Sequence, residues 1–214
     1  MYDLHTHTTL SDGELIPAEL IRRAAALGYQ TLAISDHVDW ATIDTVISSL
    51  IKMRNASKEY GITMLAGVEL THTLPADIEP MAQYAKEKGA NIVVVHGETP
   101  VEPVIPGTNA AACSCPYVDI LAHPGFITHT EARSAKHHDI WLELTGRGGH
   151  NRTNGHVARI AEDTGATLVV NSDAHAPHDL MDEKTREIVA LGSGISHSSA
   201  KNILTRDLSK FQKR

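Results

Sequence analysis

The sequence predicts an α/β fold, a distorted seven-stranded (β/α)7 barrel of the TIM-like kind, with residues 1–214 forming one domain. Three observations lead to it. Seven short apolar runs begin near residues 2, 31, 64, 92, 119, 140 and 167. Successive starts lie 21 to 33 residues apart and most intervals carry a helical apolar period, the signature of repeated βα units on a parallel sheet. Every run also ends in histidine, aspartate or glutamate, and in such barrels the chemistry sits at the C-terminal ends of the strands.

Taken in order, Tyr2, Asp3 and Leu4 lead into His5 and His7. The following helix opens at Pro17, which suits a first turn, carries Leu20, Ile21, Ala24 and Leu27 on one stripe, and stops at Gly28. Leu32, Ala33 and Ile34 precede Ser35-Asp36-His37, and a helix bearing Ile43, Val46, Ile47, Leu50 and Ile51 follows and closes at Gly61. Residues 64–68 lead to Glu69, and a shorter helix over 79–88 ends at Gly89. The run 92–95 leads to His96. Segment 99–116 holds Pro100, Pro103, Pro106 and Pro116 and reads as a long ordered loop with at most a short helix. Ile120, Leu121 and Ala122 lead to His123, and Ile140, Trp141 and Leu142 to Glu143. Asn154 is expected to cap a helix carrying Val157, Ile160 and Ala161 and stopped at Gly165. Residues 168–172 lead to Asp173 and His175. Segments 179–191 and 196–210 read as terminal helices, the second interrupted near Thr205.

A chain of 214 residues with 42% hydrophobic residues is long enough for one sizeable core. Nineteen basic against 26 acidic residues leave a net charge of −7, so bulk charge offers no attraction to nucleic acid or to an anionic membrane surface. No apolar run approaches the roughly 18 residues of a membrane span, and no targeting segment is legible at the start. The two cysteines, Cys113 and Cys115, read as reduced thiols of a cytoplasmic protein, with a redox or soft-metal pair as the sharper alternative. The outlier is 14 histidines, far more than a neutral core needs.

On an extended strand residues i and i+2 share a face, so His5 and His7 can grip one ion, and Asp173 with His175 repeats that geometry on the last strand. Glu69, in an apolar context, would be costly to bury unless charge-paired or metal-bound. His37, His96 and His123 each read singly as hydrogen-bonded structural histidines; their shared placement at one end of the strands outweighs that reading. With Asp12 added, His5, His7, His37, Glu69, His96, His123, Asp173 and His175 make nine candidate ligands. That exceeds one tetrahedral zinc and suits two or three divalent ions, zinc, manganese or iron. Neighbouring ions of this kind suit phosphate-ester hydrolysis.

The segment from Asp3 through His5-Thr6-His7 to Ser11-Asp12-Gly13 resembles the opening motif of the polymerase and histidinol phosphatase (PHP) superfamily. Ser35-Asp36-His37 is similar to its second motif, Gly67-Val68-Glu69 to its third, and Asn171-Ser172-Asp173-Ala174-His175 to its last. His96 and Ala122-His123-Pro124-Gly125 match the intermediate histidine positions, so the resemblance spans residues 3 to 178. It implies a seven-stranded barrel with a trinuclear metal centre acting on phosphoesters. It further implies that His5, His7, Glu69 and Asp173 surround a first ion, that Glu69 bridges to a second held by His96 and His123, and that Asp12, His37 and His175 hold a third.

The reaction expected from this resemblance is hydrolysis of a small phosphomonoester, with histidinol phosphate as the named candidate, by a hydroxide held between two ions. Asp12 or His175 would assist the departing alcohol, and Arg147, in the glycine-rich 145–150 segment, would hold the substrate phosphate by bidentate hydrogen bonds. Three alternatives stand beside it: a nucleotide or oligonucleotide phosphoesterase, a non-catalytic regulatory barrel, and an amidohydrolase-like enzyme. The last normally recruits a lysine where this chain has His96. Glu143 reads either as a carboxylate orienting a histidine ligand or as a paired barrel residue. His72, His150, His156 and His178 are pocket candidates, whereas His129, His137, His138, His197 and Arg133 read as surface residues.

Overall fold

The structure, a computed structural model, describes residues 1–212. Seven parallel strands form a nearly closed barrel in the order β1 (Tyr2–Asp3), β2 (Thr31–Ile34), β4 (Thr63–Leu70), β5 (Ile92–His96), β6 (Ile120–Ala122), β7 (Trp141–Thr145) and β8 (Leu168–Asn171). A short extra strand, β3 (His37–Val38), continues the path of β2 after a break at Ser35 and Asp36 and pairs with β4 in the register His37↔Glu69. The sequence reading had no separate strand there. Two residues are too few to show a period, but the break sets His37 beside Glu69.

The helices lie outside: α1 (Pro17–Ala26), α2 (Ile43–Glu59), α3 (Pro75–Glu87), α4 (Thr108–Ser114), α5 (His129–His137), α6 (Asn154–Thr164), α7 (Glu183–Gly192), α8 (His197–Leu204) and α9 (Ser209–Gln212). Each principal helix buries its apolar stripe against the sheet, as α1 does with Leu20, Ile21 and Ala24 and α2 with Val46, Ile47 and Leu50. Segment 99–116 is the expected loop with one short helix, and the tail breaks between α8 and α9 around Thr205.

Three boundaries differ from expectation. Helix α3 starts at Pro75 rather than 79, and because Pro80 stands inside it, only its later part shows an uninterrupted apolar period. Helix α7 starts at Glu183, capped by the Asp182 side chain, while Asp179 ends a 3-10 turn and its carboxylate accepts hydrogen bonds from the backbone N–H groups of His175 (3.0 Å) and Ala176 (2.8 Å). Asn154 does not cap α6. It is the first helical residue, and its carboxamide instead meets both backbone groups of Thr145, donating to the carbonyl at 2.9 Å and accepting from the N–H at 3.2 Å. That contact serves the end of β7, where the ladder runs out.

Strand alternation sorts the core into two shells. Ala33, Leu65, Ile92, Val94, Ile120, Ala122, Trp141 and Val169 fill the barrel, and Leu208 and Phe211 from the tail close its lower end. Their outward neighbours, such as Val68, Val93, Val95, Leu142 and Val170, pack under the helices. Continued by steps of two or four, the inward series arrives at Glu69 from Leu65, at His96 from Ile92 and Val94, and at Glu143 from Trp141. The same parity that buries the apolar residues therefore delivers ionisable ones to the upper mouth.

Between β8 and β1 the backbone ladder is sparse, and side chains help close the barrel. Leu4 N–H donates to Asn171 Oδ1 at 3.0 Å, and Ser172 N–H donates to the Asp3 carboxylate at 3.1 Å. Beyond them Asp173 N–H bonds to the His5 carbonyl and His7 N–H to the Ala174 carbonyl. Phe211, 1% exposed and edge-on to Trp141 at a centroid distance of 5.1 Å, is the plug of the opposite end. Phe211→Ala should lower unfolding free energy by about 3–5 kcal/mol. Urea denaturation measures it, and a loss under 1 kcal/mol would show that the tail does not support the barrel.

Candidate metal centre

The upper mouth collects all nine predicted ligands. His5, His7, Glu69, His96, His123 and Asp173 are buried there, while His37, His175 and Asp12 form its outer edge. Glu69 is central. Its Oε2 lies 3.3 Å from His5 Nε2, 3.5 Å from His7 Nε2 and 2.7 Å from His37 Nδ1, and its Oε1 lies 3.7 Å from His123 Nε2. Asp173 faces it, with Oδ1 3.2 Å from His7 Nε2 and Oδ2 3.7 Å from His123 Nε2. At the edge Asp12 Oδ1 stands 3.5 Å from His37 Nε2 and 3.3 Å from His175 Nε2.

These residues arrive by different routes. His96 ends β5, Glu69 lies in β4, and His37 is carried by β3. His123 and Asp173 sit just past their strands with φ of 27° and 55°, a region that non-glycine residues seldom occupy and that turns their side chains into the mouth. Asp12 is placed by Asp36, whose buried carboxylate accepts hydrogen bonds from Thr8 N–H (2.7 Å), Thr8 Oγ1 (2.8 Å) and Ser11 Oγ (2.7 Å) and so folds the 8–11 turn over the rim.

The donor chemistry fits divalent ions. His5 Nε2, His7 Nε2 and both Glu69 oxygens are buried without an aligned hydrogen-bond partner, a costly arrangement in a protein interior. Two donors held by one ion at about 2.1 Å in tetrahedral geometry lie about 3.4 Å apart, which matches most of the separations above. Donor atoms come within 4.8 Å of one another in four overlapping sets: His5, His7 and Glu69; His5, His123 and Asp173; His7, Asp12, His37 and His175; and His96, His123 and His150.

Electrostatics in the mouth are opposed. Burial would suppress protonation of His5, yet the carboxylates of Glu143, Glu69 and Asp173 hold its pKa well above the usual histidine value. Burial, helped by neighbouring imidazoles, keeps His7 and His123 well below it, hence neutral and ready to donate lone pairs. Burial pushes Asp173 up to about 7, with Glu69 and Glu143 adding to the effect. Glu69 goes the other way: burial opposes its charge, but His5 and His37 hold it ionised.

Glu143 ties two candidate ligands to β8. One carboxylate oxygen accepts from Asn171 Nδ2 at 2.8 Å and lies 2.9 Å from His5 Nδ1; the other accepts from His123 N–H at 3.1 Å. Arg147 lines the same cavity, of about 330 Å³, with Nη1 3.4 Å from Asp179 Oδ2. His72 and His150 line it too, whereas His156 bonds to the Ile127 carbonyl and His178 is exposed. His129, His137, His138, His197 and Arg133 stay away from the mouth. Cys113 and Cys115 are free, buried thiols whose pKa values burial raises. Glu102, whose carboxylate reaches His96 and His150, was not foreseen, because its proline-rich loop has no periodicity to interpret.

The PHP domain family model matches residues 3–189. The chain belongs to the PHP domain family. It is 48% identical over 205 residues to the uncharacterized protein MJ1295 of Methanocaldococcus jannaschii, covering 95% of this chain and 94% of that one. A 5'-3' exoribonuclease of Haemophilus influenzae is 46% identical over 70 residues, which cover 33% of this chain and 23% of the exoribonuclease. Among solved structures, the histidinol phosphate phosphatase of Lactococcus lactis, complexed with zinc, L-histidinol and phosphate, superposes with a TM-score of 0.61 at 13% identity, covering 91% of this chain and 94% of its own, a likeness of fold.

Two outcomes follow from this geometry. Chelation should lower the thermal midpoint, and a divalent ion added back at a hundredfold excess over its Kd should restore about 2.7 kcal/mol per site; a midpoint indifferent to chelator and metal would refute a structural role for the cluster's counter-ions. Glu143→Gln, which weakens the hold on His5 with little change of shape, should reduce metal affinity about 10- to 100-fold in a chelator-competition titration.

Proposed function

We propose that this PHP-family metal-dependent phosphoesterase hydrolyses a small phosphomonoester, histidinol phosphate or a compound like it, with the 1–214 chain acting as one barrel domain. The observation that carries the reading is the convergence of nine nitrogen and oxygen donors, five of them with unpartnered buried atoms, on a cavity of about 330 Å³. That volume lies at the small end of ligand pockets. In our reading His5, His7, Glu69 and Asp173 hold a first ion, Glu69, His96 and His123 a second, and Asp12, His37 and His175 a third, each being zinc, manganese or iron. When bound, such ions supply Lewis acidity, lower the pKa of water and neutralise charge on the phosphoryl group.

The chain's own residues then have distinct tasks. Arg147, a third exposed and tethered only at 3.4 Å to Asp179, is free to swing its guanidinium onto a substrate phosphate. Asp12 and His175, paired at 3.3 Å on the open edge, stand where a departing alcohol would leave and can exchange a proton with it. Glu143 holds His5 in one tautomer and orientation.

Hydrolysis of a nucleotide or oligonucleotide is the second reading, supported by the similarity to the exoribonuclease over a third of the chain. The net charge of −7 weighs against a long polynucleotide, whose binding draws on neutralised phosphates. Among the described residues no helix is long and apolar enough to cross a membrane, and two free buried thiols support a cytoplasmic setting. The gathering of all nine donors supports catalysis over a purely regulatory barrel.

Purified without chelator, the protein should retain divalent metal and turn over histidinol phosphate faster than a generic aryl phosphate or a 3′,5′-bisphosphate nucleotide. Equal rates on all three would sink the substrate assignment. His7→Ala and Asp173→Ala should each cut kcat at least about a hundredfold, the scale of losing electrostatic stabilisation; full activity in both would sink the mechanism. Arg147→Ala should raise KM more than it lowers kcat.

A further inference from the structure

One group of donors at the mouth lies beyond the nine. His150, 7% exposed, opens the 3-10 turn His150–Thr153 after β7. Its ring centroid lies 4.4 Å from that of His123 and 6.1 Å from that of His96. The Nδ1 atoms of all three rings are buried and unpartnered. Over the outer side of this triad lies Glu102, with Oε2 3.1 Å from His96 Nε2 and Oε1 3.4 Å from His150 Nε2.

The Glu102 loop is built rather than draped. Glu98 Oε1 accepts from both Gly107 N–H and Asn109 N–H at 2.9 Å, pinning the two ends of the loop together. Asn109 accepts from Glu98 N–H at 3.0 Å and donates to the Pro124 carbonyl at 2.8 Å, tying the loop to the segment that carries His123. Gly125 allows this approach: it has φ of 60°, and a Cβ there would run into the Glu98 carbonyl oxygen. At the far side Val101 rests on Gly149, next to His150.

We propose that His150 and Glu102 complete the second metal position, His150 as a third imidazole beside His96 and His123 and Glu102 as the carboxylate that caps its outer face. Three imidazoles and carboxylates form a donor set of the nitrogen-and-oxygen class that suits zinc, manganese or iron. The inference rests on the reading of the mouth as a metal centre and adds two ligands from outside the strand ends.

The test uses the full chain as wild type, Glu102→Gln, His150→Ala and the exposed-residue control His178→Ala. Each is stripped with chelator and titrated with Mn²⁺ and with Zn²⁺ by calorimetry, with retained ions counted by elemental analysis. We expect His150→Ala to lose one ion or to weaken one class of sites by about tenfold or more. Glu102→Gln should weaken that same class, and His178→Ala should match wild type. Unchanged ion count and affinity in either Glu102→Gln or His150→Ala, with wild-type circular dichroism, overturns the proposal. Glu102 lies on a half-exposed loop, so its variant answers even if His150→Ala misfolds. If wild type itself binds no divalent ion, the metal-centre reading fails instead; if wild type binds ions and the variants bind them equally, only this inference does.

Discussion

The Glu143 carboxylate is the contact on which the active end of this barrel depends. It is fully buried in β7, a placement that is expensive unless every lone pair finds a donor. It finds them on three strands: the His5 ring after β1, the His123 N–H after β6 and the Asn171 carboxamide on β8. Asn171 in turn accepts the Leu4 N–H that helps join β8 to β1. Barrel closure and the placement of the candidate ligands His5 and His123 therefore rest on one hydrogen-bonded network, and loosening the seam would loosen those residues with it.

Above this network the mouth gathers buried groups of opposing charge. Glu69, Asp173, His5, His7 and His123 are buried together, so each neighbour shifts the others' protonation in opposing directions. Divalent ions would satisfy both imidazole lone pairs and carboxylate charge in such a low-dielectric setting. The left-handed backbone at His123 and Asp173 adds strain, of order 1–3 kcal/mol each, that the surrounding packing must offset.

Much of this was legible in the chain. The 21- to 33-residue repeat of apolar runs predicted the parallel barrel, and polar residues at their ends predicted the composition of the mouth. What escaped has identifiable causes. Asn154 carries the chemistry of a helix cap, but the unpaired end of β7 competes for its carboxamide and wins. Glu102 sits among prolines with no pattern to mark it, whereas His150, after the glycines, was legible as a pocket candidate and does line the cavity. Asp36 lies next to the expected ligand His37, yet its carboxylate is used to hold the 8–11 turn.

Local pattern thus dictates which residues enter strands, which parity faces inward and which side chains reach the rim, because alternation and helical period are properties of short segments. How donors group around shared points, whether Glu143 pairs or orients, and which loop residues join them depend on contacts across tens to more than a hundred positions. Those contacts follow from closing the barrel in space, where Glu102 meets His150 and His5 meets Glu143.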